Sequence, residues 1–265
     1  MNYFIELNQN YIETDLDYRK ANAIDGKSKP LIENMKLFLI TQFDKHGILF
    51  EKCDIEVAFD TYGLQVDGNR LTCDYLGPST YYAAKKITDE DILEYIIDTR
   101  IFGGHMIWPS SLIGIGRFNE KGEEITKSIN TARSYCLRER LDHTLFEVRE
   151  WYVNDGNNGT PIFQMVLEGN KSWLEKFGNG EDGYRKFLEV FVLKGLVDQY
   201  TFEPYDFESF NGVTYDKVIQ KRKKCANDYI PKDKKTFVNY INGTVAALIK
   251  RDEQIKNIDS LFKTF

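Results

Sequence analysis

In the run LRERLDHTLFEVREWY, Leu137 to Tyr152, the apolar residues recur with the period of a helix. Laid out at about 100° per residue, Leu137, Leu141, Thr144, Leu145, Val148 and Tyr152 form one stripe. Arg140 and Glu147 flank that stripe on one side, and Asp142 and Arg149 flank it on the other. Glu139, Phe146 and Glu150 point the opposite way, with His143 between them and the Arg140/Glu147 edge. A charge at the margin of a buried stripe is costly unless it finds a partner. Arg133, Arg140, Asp142, Glu147 and Arg149 are therefore expected to form ion pairs that tie the helix to the loop before it.

Such a helix needs a core to pack against, and 265 residues with 42% hydrophobic and 14% aromatic content supply one. That length suits one compact domain over 1–265, with a sub-division into a mixed part over 1–152 and a helical part over 160–265. A net charge of -6 argues against a surface built throughout to coat nucleic acid. Cys53, Cys73, Cys136 and Cys225 lie far apart with no CxxC pair, and no signal peptide precedes the polar residues that begin at Asn2. A reduced, cytoplasmic setting is expected, with no metal site and no cofactor. No apolar run approaches the roughly 20 residues that cross a bilayer, so no membrane partner is expected.

In chain order, Met1 to Lys29 reads as an early strand or arm. From Leu31, the residues Leu31, Met35, Leu37, Phe38, Ile40 and Phe43 recur at helical spacing until His46-Gly47, where glycine suits a left-handed helix end. His46 is best placed there for the helix dipole. The following runs ILFEKC, IEVAFDTYGLQV and NRLTCDYL are short and rich in β-branched and aromatic residues. They are broken by the turn-forming Asp67-Gly68-Asn69, which predicts two or three antiparallel strands between Ile48 and Leu76. Thr88 to Arg100 then reads as a capped helix with acidic residues in its first turn.

The helix leads into Phe102-Gly103-Gly104-His105-Met106-Ile107-Trp108-Pro109. Paired glycines allow close approach of another backbone or of a ligand, and the residues after them suit a short buried strand. His105 is the candidate acid or base, although a strand histidine satisfied by a neighbouring carbonyl explains it as well. Gly103, Gly104, Asn130, Arg133 and Arg140 are the candidate ligand-binding residues, since guanidinium groups suit carboxylate and phosphate. The run GIGRFNEKGEE does not fit a phosphate-binding loop and reads as a hairpin turn or loop.

Beyond Tyr152, VNDGNNG is the clearest break, and Thr160-Pro161 begins a new helix. Ile162, Val166, Gly169, Trp173 and Phe177 mark one helical face, and Tyr184, Phe187, Leu188, Phe191 and Gly195 mark the next. An antiparallel helical pair with an aromatic core follows. Two more helical segments are expected over 214–229 and 232–262. Between them Lys221, Arg222, Lys223, Lys224, Lys232, Lys234 and Lys235 cluster around Tyr229, a pattern that is usually a solvated face and less often a nucleic-acid contact.

The order GGH-M-I-W-P, SINTAR, R-x-D-x-T at Arg140 to Thr144, R-x-W-Y at Arg149 to Tyr152, TPIF and FLEVFVLKGLVD resembles an uncharacterised family of bacterial and phage-associated proteins. That family carries no assigned reaction.

These observations predict an α+β chain, with a small antiparallel sheet in the N-terminal half and a mainly helical C-terminal half. The resemblance and the lack of a catalytic signature imply an intracellular accessory protein of phage or host conflict, which binds a protein partner or a small anionic ligand. Two alternatives stand beside it. One is an enzyme acting on a phosphate-containing substrate, with His105 as acid or base. The other is a nucleic-acid binder using the 221–235 basic cluster.

Overall fold

The computed structural model describes residues 29–48, 64–67, 102–104, 106–109, 112–118, 124–130, 141–159, 161–207, 209, 214 and 234–262. The first helix, α1 (Lys29–Lys45), stops where the sequence places its end. Gly47 takes φ 62°, and the Ile48 N–H reaches back to the Phe43 carbonyl at 2.9 Å, which closes the last turn. Met35, Leu39 and Phe43 on α1 are buried.

The α+β expectation is corrected by the structure, because the described residues are mainly helical. Among the described residues, extended segments pair as two separate two-stranded ladders and two isolated bridges, Val197 with Pro204 and Tyr205 with Thr214. Within Ile48 to Leu76 the one described strand is β1 (Leu64–Asp67), and it pairs antiparallel with β2 (Met106–Pro109), not with a neighbour in sequence. The second ladder joins β3 (Leu112–Phe118) to β4 (Glu124–Asn130), with Gly114 opposite Ser128 and Gly116 opposite Thr126. Runs of β-branched and aromatic residues fit any half-buried surface, so they do not by themselves specify a sheet. Here most of the buried apolar side chains belong to helices, and the ladders add Met106 and Ile107.

The arm before Lys29, the turn at Gly68-Asn69, the helix expected over 88–100 and most of the helix expected over 214–229 lie outside the described residues.

The central helix, α2 (Leu141–Val153), is followed by α3 (Pro161–Gly169), the short α4 (Lys171–Leu174), a 3₁₀ turn Glu175–Phe177 and α5 (Gly180–Val190). Proline starts α3 as the sequence indicates. The first half of the expected helical pair is broken at Asn170, and α5 ends before Gly195, at Val190. The turn between the two halves is tight. Gly178 takes φ 107°, and a Cβ on Gly183 would lie 2.5 Å from the Gly178 carbonyl carbon.

The expected aromatic core is present. Phe43 stacks on Trp173 at 5.8 Å, Trp173 meets Phe177 edge-on at 5.5 Å, and Phe187 and Phe191 continue the chain of rings at 5.4 and 5.0 Å. Each such buried ring contributes roughly 1.5–3 kcal/mol by removal from water, with about 0.5–1.5 kcal/mol more for each ring pair. Along the last helix, α6 (Lys234–Phe262), Tyr240, Thr244, Leu248, Arg251, Asp252 and Ile255 are buried at helical spacing.

Candidate functional site

Among the described residues, two regions hold the chemically capable groups. The first is the glycine pair, which forms a 3₁₀ turn (Phe102–Gly104) against α6. The Gly103 N–H donates to Asp252 Oδ1 at 2.7 Å, and Arg251 Nη1 donates to the Gly103 carbonyl. Arg251 Nε donates to the Phe191 carbonyl at 2.9 Å, so one side chain joins the turn, α6 and the end of α5. Arg251 is only 2% exposed. Burial pushes its guanidinium down to about 9, against the opposing pull of Asp252. Asp252 Oδ2 in turn pairs with Lys256 Nζ at 2.6 Å.

This packing explains why glycine stands at 103. A Cβ there would lie 2.6 Å from the Asp252 backbone nitrogen, inside any tolerable contact. The close approach that the sequence suggests is therefore made to a second backbone of the same chain. Gly104 is buried beside it.

The second region is α2 and its surroundings. Asp142 and Glu150 are 0% exposed and Glu147 is 2% exposed, so this helix carries three carboxylates into the interior. Glu147 Oε2 accepts from Gln164 Nε2 at 2.7 Å, and its main-chain carbonyl accepts from the same nitrogen at 3.0 Å. Glu150 Oε1 accepts from Asn154 Nδ2 at 2.9 Å. Arg149 Nη1 lies 3.7 Å from Glu150 Oε1, and its Nη2 lies 4.0 Å from Glu203 Oε1. Glu203 Oε2 accepts from Thr214 Oγ1 at 2.8 Å.

Arg149 thus takes part in ion pairs. Its partners come from α2 itself and from the segment after α5. The structure differs at Phe146 and Glu150, which are buried although they lie opposite the stripe. The helix is covered on both faces, and its stripe marks only one of them. His105, Arg133 and Arg140 lie outside the described residues. Asn130 is the last residue of β4.

A groove of about 460 Å³ opens where α2, α3, α4 and the turn into α5 meet. It is lined by Trp151 and Tyr152 from α2, Asp155 from the following loop, Met165 and Glu168 from α3, and Lys171 from α4, with Gln164, Glu175, Asn179 and Gly180 completing it. The Trp151 indole N–H donates to Glu168 Oε2 at 3.1 Å. Lys171 Nζ lies 3.5 Å from Glu168 and 3.9 Å from Glu175. Tyr152 donates its hydroxyl to the Leu174 carbonyl at 2.5 Å, and burial raises its pKa, with Glu175 adding to the shift. Met165 remains 43% exposed.

Sequence reasoning passed over these groove residues because they are spread over short segments. The only signal was the spacing of Glu168, Lys171 and Glu175, which puts three charges on one side of successive turns.

Among the described residues, no group of three or more His, Cys, Asp or Glu could hold a metal ion. No helix among them is long and apolar enough to cross a membrane.

Residues 13–255 match the model of a family of unknown function, DUF6994, and the chain belongs to that family. No curated protein and no solved structure matches it.

Proposed function

We propose that this protein works by binding another protein, as a cytoplasmic accessory factor of phage or host conflict, and that the groove beside α2 is part of the surface it uses. The observation that carries this reading is that the groove is open while the other polar clusters lie largely buried. The Gly103 peptide is engaged by Arg251 and Asp252, Glu147 by Gln164, and Arg149 by Glu150 and Glu203. The open groove instead combines an aromatic ring, an exposed methionine and charged side chains. Aromatic and methionine side chains are enriched at protein-binding surfaces. The acidic character of the groove favours a protein partner over a small anionic ligand. The cytoplasmic setting rests on the scattered cysteines, and the conflict role rests on the family resemblance.

A photo-crosslinking residue in place of Met165 tests the reading in cells of the source. A discrete heteromeric adduct is expected, and it should be absent when the same group replaces the exposed Ile249 on α6. Equal adducts from both positions, or none from Met165, would remove it.

A further inference from the structure

The groove also indicates what kind of partner it accepts. Trp151 is half-buried and held by Glu168, so its ring is presented in a defined place. Glu168 and Glu175 share Lys171, whereas Asp155 makes no hydrogen bond or ion pair among the described residues. Three carboxylates face one ammonium, which leaves the lining acidic. The exposed Asn179 side chain, at the N-terminus of α5, makes no capping bond.

We infer that the groove docks a basic segment of a partner protein, seating an arginine or lysine side chain against Trp151 and the Asp155 carboxylate. This inference rests on the protein-binding reading above and adds the partner's chemistry.

Three physical arguments support it. An aromatic ring attracts a cation through its electron-rich face. The aliphatic stem of arginine or lysine packs along apolar groups such as Met165 while its charged head meets a carboxylate. The volume suits one or two side chains of an inserted segment, not a folded domain. Acidic peptides and nucleic acid meet like charge and are disfavoured.

The test titrates the whole protein with three blocked peptides of equal length, carrying arginine, glutamate or serine at alternate positions, followed by calorimetry. Saturable one-to-one binding of the arginine peptide alone is expected, weakening as salt rises. The pair Asp155→Asn and Glu175→Gln should lower its affinity at least tenfold while leaving the thermal midpoint in place. Both side chains are exposed, and asparagine tolerates the φ of 50° at position 155. Trp151→Phe provides a second variant and should weaken binding less.

Equal binding of the glutamate peptide, no binding of any peptide, or full affinity in the double variant would overturn the inference. A self-associating protein whose assembly competes with the arginine peptide would assign the groove to a second copy, and so overturn the partner assignment. If Met165 crosslinks a partner but no basic peptide binds, only the partner's charge is wrong; if both fail, both readings fall.

Discussion

The Gly103 turn and the α2 groove use the same residue types to opposite ends. At Gly103, a buried arginine and a carboxylate are spent on two backbone groups, and the result is a closed junction between α6, α5 and the turn. At the groove, a tryptophan and carboxylates sit at the rim of the helical layer, where water still reaches them. Charge density alone therefore does not mark a site. What separates the two is burial, since polar groups of both regions bond within the chain but those of the groove stay open to water.

The largest expected effect is at the closed junction. Arg251→Met keeps much of the side-chain volume but strips the buried Gly103 and Phe191 carbonyls of their donor, and should cost about 3–5 kcal/mol in urea denaturation. A loss below about 1 kcal/mol would mean the junction is not closed. Gly103→Ala comes next, at about 2–3 kcal/mol, because its Cβ has to displace α6 backbone.

Gln164→Leu should cost about 1–2 kcal/mol by removing the hydrogen bonds to Glu147. At the open groove, Lys171→Ala should change stability by no more than about 0.5 kcal/mol, since its ion pairs are exposed. A larger loss would erase the contrast between the regions.

The smallest effect is one of pH. Burial holds the His46 imidazole below its ordinary 6.5 despite the pull of Glu189. The folded state therefore prefers the neutral ring, so this contribution is present above pH 6.5 and is lost as the pH falls through the lowered value. Thermal midpoints at pH 7.5 and 5.5 should converge slightly in His46→Gln. An unchanged difference would remove His46 from the account.

Much of the helical structure was legible because its signals are local. The α1 end at Gly47, the proline that opens α3 and the ring-bearing faces around Trp173 and Phe187 all follow from spacing and turn chemistry. The sheet was misread because strand partners are chosen at long range. Leu64–Asp67 pairs with Met106–Pro109, and nothing near either segment announces the other. Glu150 was misplaced for a related reason, since a hydrophobic stripe shows one buried face and is silent about a second. The groove was the least visible feature, being assembled from α2, a loop, α3, α4 and the turn before α5.

Local spacing placed a helix over Leu137 to Tyr152, where Leu141–Val153 is helical in the structure, and marked its charges as needing partners, because each signal depends on residues within a few turns of one another. Which partners those charges take, the clamping of Gly103 by Arg251 and Asp252, and the open groove shared by Trp151 and Asp155 were set by packing between distant elements. Contacts across 148 or 149 positions arise from packing, which no local periodicity encodes.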